Sequence, residues 1–193
     1  MSRNVIYSAL AAACLSAFCS AGCSTTWPRV DPTGKTFPDV RGSSLAGTPV
    51  LLPKDLAGAP ALLFVGYKQM SQFDIDRWLL GLDQAGVKVK TLELPTIPGI
   101  LPGLFAGSID GGMRSGIPSE DWAIVVTVYD DAGKIAAFLG NANGLPARVV
   151  LLDGAGRVVF FHDEGYSVAA LKRLQEKVAA LGSPGPSPPA PQG

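Results

Sequence analysis

Residues 60–67 read PALLFVGY, a continuous apolar run. Such a run predicts a strand covered on both faces, as in a parallel sheet. A helical period follows. Phe73, Ile75, Trp78, Leu79 and Leu82 recur at helical spacing, and Gly86 ends the pattern. Ser71 with Asp74 three residues on reads as an N-terminal capping box. VKVKTLEL, residues 87–94, alternates with period two and returns the chain to the sheet. The three segments make a β-α-β unit. Upstream, TPVLLP at 48–53 is a short strand between Gly47 and Pro53.

The second half repeats these signals in another order. WAIVVTVYD at 122–130 predicts a buried strand. AGKIAAFLG, after Asp130 and Asp131, predicts a short helix capped by one of them. NGLP at 143–146 leads into ARVVLLDGAGRVVFFHD, which predicts a hairpin of 149–152 and 158–161 about a turn at 153–156. A closing amphipathic helix spans 167–181, capped by Ser167, with Val168, Leu171, Leu174, Val178 and Leu181 on one face. Residues 95–121 are rich in Pro and Gly yet also apolar. They predict an insertion with a short helix around Leu104, folded over the domain; the functional alternative is a lid or a partner surface.

Charge narrows the function. The 193-residue chain has a net charge of +0 and 17% charged residues, so no basic surface invites nucleic acid. Apolar residues make up 47%, enough for a core. Residues 182–193, GSPGPSPPAPQG, have almost nothing to bury and predict a loose tail.

All three cysteines, Cys14, Cys19 and Cys23, lie within CLSAFCSAGCS. Arg3, an apolar run over 5–18 and small residues at 20–22 have the three-part layout of a secretory leader. Ser20-Ala21-Gly22-Cys23 resembles a bacterial lipobox, though such motifs usually carry an aliphatic residue where Ser20 stands. The resemblance implies cleavage before Cys23 and its acylation. The expected organisation is then a leader at 1–22, a tether at 23–36, a domain at 37–181 and the tail. Acyl chains at about 0.8 kcal/mol per buried CH₂ give durable anchoring. Ser24 after Cys23 favours the outer membrane, facing the periplasm. The competing reading is ordinary leader cleavage near Ala21, leaving Cys23 a free thiol.

The order of elements, with DxGKI before a helix, then Gly144-Leu145-Pro146 and the LLDGAGRV hairpin, resembles the thioredoxin superfamily. It is closest to the peroxiredoxin and periplasmic thioredoxin-like branch. A looser likeness to thioredoxin-like assembly factors of mitochondrial ATP synthase runs over 66–78. The resemblance implies an α/β fold with a central mixed sheet and flanking helices. It also implies a cis bond before Pro146, facing a site at the first strand–helix junction. In that family a thiol at the junction is activated by the helix N-terminus. Here the junction is GYKQMSQF, residues 66–73, without a cysteine. Thiol–disulfide exchange and thiol peroxidase chemistry are therefore not expected.

The candidate binding residues are Lys68, Gln69, Ser71, Gln72 and Pro146, where polar side chains meet a helix entrance able to receive an anion. Ser71 as a hydrolytic nucleophile is the alternative, but it needs a base, and the only histidine is His162. His162 reads as a hydrogen-bonded structural residue. Asp74 reads as a first-turn charge, set apart from Asp76. Met70, Met113 and His162 make a poor copper set without a thiolate. No metal or cofactor is expected. The leading expectation is a lipid-anchored binding or assembly module for an envelope protein or a small ligand. A purely structural lipoprotein is the remaining alternative.

Overall fold

The computed structural model of the chain describes residues 25–98 and 105–182. The predicted leader, Cys23 and all but the first residue of the predicted tail lie outside them. Among the described residues seven strands are formed: β1 (Val40–Ser44), β2 (Pro49–Leu52), β3 (Ala61–Gly66), β4 (Lys90–Pro95), β5 (Val126–Thr127), β6 (Arg148–Leu152) and β7 (Val158–His162). The longer helices are α1 (Gln72–Gln84), α2 (Ala106–Gly116), α3 (Ala132–Leu139) and α4 (Val168–Gly182).

The central strand is β3, every residue of which is buried. It pairs in parallel with β4 and antiparallel with β6, and β6 continues into the edge strand β7. A second ladder has the order β2-β1-β5. Parallel bridges Glu93–Val125 and Thr96–Val128 join β5 to β4. The Glu93 N–H donates to Ile124 O at 2.9 Å and the Val128 N–H to Pro95 O at 2.9 Å. The result is one mixed surface ordered β2-β1-β5-β4-β3-β6-β7.

Alternation along β3 divides the core into two layers. Leu63 and Val65 face Phe37, Leu94, Ile135 and Leu139, beneath α3. Leu62 and Phe64 face Ile75, Trp78, Val149, Leu171 and Leu174, beneath α1 and α4. Trp78 is the hub of that second layer. Its ring meets Phe64, His162 and Tyr166 edge-on or tilted, at 6.3, 5.6 and 5.4 Å between centroids. Gly81 makes room, since a Cβ there would lie 2.7 Å from the Tyr166 ring.

Several sequence expectations need correction. The strand at 122–130 shrinks to β5 and its flanking bridges, because 119–124 turn: the Trp122 N–H bonds Ser119 O and the Ile124 N–H bonds Asp121 O. The helix of the insertion begins at Ala106, beyond Leu104, which lies outside the described residues. Its Asp110 accepts from the Tyr129 hydroxyl and its Arg114 donates to Leu45 O, so polar bonds tie it to the domain. Phe73 and Val168 are exposed, as each lies in the first turn of its helix, beyond the covered stretch. The bond before Pro146 is not cis; among the described residues the cis peptide is Leu52–Pro53. The reversal there is made earlier, where Asn143 Oδ1 accepts from the Leu145 N–H.

Ser71 does not cap α1 with its side chain. Asp74 does more than face the helix dipole. Its Oδ2 accepts from the Ala147 N–H at 3.0 Å and its Oδ1 from the Tyr166 N–H at 2.7 Å. One carboxylate thus ties the first turn of α1 to the segments that enter β6 and α4. Asp74→Ala leaves two backbone donors unmet and is expected to cost about 3 kcal/mol. Asp74→Asn, which keeps one acceptor oxygen, is expected to recover about half of that in urea unfolding.

Candidate functional site

β3 ends at Gly66, where a Cβ would lie 3.4 Å from Ser71 Cβ. Tyr67 and Lys68 leave the sheet, the latter with extended backbone (φ −137°, ψ 150°). A 3-10 turn, Gln69–Ser71, then leads into α1. The Ser71 N–H closes it onto Lys68 O at 2.9 Å. Ser71 is buried, and its hydroxyl donates to Gly144 O at 3.1 Å. The Lys68 stem lies over the same glycine: a Cβ on Gly144 would be 3.2 Å from Lys68 Cε. The predicted residues Lys68 and Ser71 therefore converge on Gly144, two residues before Pro146, with the 143–147 segment beside the β3–α1 turn.

Gln72 turns the other way, toward β4. Its Nε2 donates to Glu93 Oε2 at 3.1 Å and to Asp76 Oδ1 at 2.9 Å. Gln69 is exposed and touches neither group. Four of the five candidates thus fall into two arrangements on either side of β3, and Gln69 belongs to neither. Burial raises the Glu93 carboxyl above its usual range; the Gln72 amide opposes this, and the charges of Asp76 and Asp121 reinforce it.

Arg148, at the start of β6, was not among the sequence candidates. Its guanidinium lies 5.1 Å from the centre of the Tyr67 ring and donates through Nη1 to Pro146 O at 2.8 Å. Burial lowers its pKa, opposed by Tyr67 and Asp163. Burial likewise pushes the Tyr67 phenol far up. The sequence signal was a single cation opening the apolar run VVLL. Glu93 carried a similar signal inside KTLELP.

His162 is engaged: its Nε2 bonds Gly165 O at 2.7 Å, and its ring abuts Trp78. Among the described residues, no three His, Cys, Asp or Glu side chains are placed to share a metal ion. A separate cavity of about 780 Å³ opens between the β1–β2 hairpin, α2 and α3. Asp39, Arg41, Asp110 and Lys134 among its walls mix both signs of charge, and none of the five candidates lines it.

Glu93 sets a pH signature. A carboxyl whose folded pKa lies above its unfolded value favours folding while protonated. Its contribution is present below the unfolded pKa and is lost as pH rises through the raised folded value. Glu93→Gln removes that loss. The variant's stability relative to wild type is expected to increase from pH 4 to pH 7, as read by urea midpoints.

No protein-family model matches the chain, and no curated protein matches its sequence. Solved structures do match. A SCO1/SenC family lipoprotein from Bacillus anthracis is 12% identical, covering 81% of this chain and 100% of its own, with a TM-score of 0.55. Yeast Sco1 with copper bound is 14% identical over 84% of this chain and 99% of its own, at 0.54. A thiol peroxidase from Chromobacterium violaceum is 12% identical over 82% and 95%, at 0.52. At such identities the likeness is one of fold. The mixed sheet, the β3–α1 junction beside the 143–147 segment and these neighbours together give the chain a thioredoxin-like fold.

Proposed function

We propose that this chain is a lipid-anchored protein of the bacterial cell envelope whose thioredoxin-like domain binds a protein partner and performs no thiol chemistry. The observation that carries the reading is the state of the β3–α1 junction. It holds Ser71 and no cysteine, and the Ser71 hydroxyl is committed as a donor to Gly144 O. That is a structural serine, not an activated nucleophile, and the chain's one histidine is bonded to Gly165 O. The hydrolytic alternative gains nothing from this geometry.

Large exposed apolar side chains stand close in sequence to the two ends of the same hydrogen bond. Met70, Phe73 and Leu145 are 59%, 62% and 53% exposed. Met70 and Leu145 flank Ser71 and Gly144 in sequence, with Lys68 against Gly144. Exposed apolar groups of this size beside a rigid turn suit the buried centre of a protein interface. The envelope address rests on the Ser20–Cys23 motif, which lies outside the described residues. It is supported by a lipoprotein among the structural neighbours.

Two measurements test the proposal. Cys23→Ala is expected to abolish palmitate labelling and release the protein from membranes. A wild-type chain that takes no label, with its mature N-terminus elsewhere, removes the anchor. A photo-crosslinker at Met70 is expected to capture a defined envelope protein in intact cells, and Phe73→Asp to reduce that adduct about tenfold, as for an interface hot spot. A crosslinker at Leu80, equally exposed but later on α1, is expected to give no such adduct. The same adduct from both positions contradicts the assignment of this face.

A further inference from the structure

A second concavity, of about 390 Å³, lies on the Pro146 side of the junction. Arg29, Asn143, Pro146, Arg148, Asp163 and Glu164 line it. Its two cations and two carboxylates balance in number but are not paired one to one. Arg29 Nε sits 3.0 and 2.9 Å from the two oxygens of the buried Asp163, so those two neutralise one another. Glu164 is exposed at the rim. Arg148 is only 2% exposed, yet no carboxylate pairs with it among the described residues. Of its five N–H donors, one is bonded to a protein acceptor, Pro146 O. Its Nε is enclosed and has no partner.

A buried, unpaired guanidinium is among the costliest groups a fold can keep. The Tyr67 ring face offsets part of that cost, but it supplies no hydrogen-bond acceptor. We propose that this concavity is a binding site for a compact oxyanion, a phosphate or carboxylate group, with Arg148 as its principal cation and Arg29 at its mouth. A guanidinium matches either group through paired N–H donors. Asn143 uses its Oδ1 on the Leu145 N–H, which leaves its amide N–H groups available to the anion.

The N-terminal segment is built onto this site. The Trp27 N–H donates to Asn141 Oδ1 at 2.7 Å, and the Asn141 and Ala142 N–H groups both donate to Trp27 O at 3.0 Å. Gly140 permits the crossing, for a Cβ there would lie 2.8 Å from Arg29 Cα. Arg29 is thus fixed at the mouth, six residues after Cys23 in sequence. The oxyanion therefore has two sources, a soluble molecule or the headgroup of a nearby lipid. The inference rests on Arg148 and not on the partner-binding face, so either can fail without the other.

The test is thermal unfolding of the full chain in detergent, at constant ionic strength set with chloride. The probes are inorganic phosphate, acetate, and dihexanoyl phosphatidylglycerol below its micelle concentration. At ten times its Kd, an effective probe is expected to raise Tm by about 3–6 °C. Phosphate alone indicates a soluble phosphate, acetate a carboxylate ligand, and tenfold tighter binding of the lipid a headgroup. Arg148→Met, similar in length and uncharged, is expected to show no rise with any probe. Glu164→Gln removes a rim carboxylate without disturbing a buried group, and is expected to tighten binding about two- to fivefold. No rise in the wild type, or an equal rise in Arg148→Met, overturns the site and leaves Arg148 a structural arginine stacked on Tyr67. If Arg148→Met does not fold, an unchanged Kd in Glu164→Gln overturns it.

Discussion

The carboxylate of Asp74 is the constraint on which the rest of the junction depends. Its two oxygens hold the backbone of Ala147 and of Tyr166, 73 and 92 residues away in sequence. The first turn of α1, the entry to β6 and the entry to α4 are therefore fixed relative to one another by one side chain. Ser71 adds a neutral bond to the same place, through Gly144 O. Below them Trp78 fills the layer between the sheet and the two helices. A charged acceptor shared by two part-buried amides is a strong and directional tie.

A surface held this firmly keeps its shape with no thiol present. The proposed binding role draws on that geometry. The turn at Gln69–Ser71 exposes Met70, Phe73 follows it on α1, and Leu145 stands on the facing segment. The bonds that align them lie underneath and are already satisfied. On the other flank of the 143–147 segment, Arg148 is the reverse case, a buried cation whose bonds are not all made. The junction thus separates an apolar outer face from a charged recess, with Pro146 lining the recess and its carbonyl held by Arg148.

Much of this fold was legible because burial imposes a pattern. The run over 60–67 became β3, the central strand, and the hairpin and both long helices fell near their expected positions. β1 was missed because VRGSS has no period. It is a strand because Gly42 lets it pass beneath Val126, where a Cβ would lie 2.6 Å from Cγ1. That reason is tertiary. The Ser71–Asp74 spacing was seen, but read locally as a cap, whereas both side chains serve distant backbone groups. Candidate residues chosen by polarity around 68–72 fell on both sides of β3, since successive residues of a turn need not share a direction. Arg148 was passed over because, although the cation opening VVLL stands in the sequence, its lack of a carboxylate partner among the described residues is a tertiary fact.

The central claim is that Asp74 holds the junction in place before any ligand or partner arrives. Amide hydrogen exchange of the unliganded full chain tests it most directly. The Ala147 and Tyr166 amides lie outside regular strands and helices, so without the carboxylate they exchange as loop amides do. The account predicts that both exchange as slowly as the amides of β3, through global unfolding. Exchange at both positions orders of magnitude faster than in β3 would contradict it, and would make the junction a flexible loop that Asp74 does not organise.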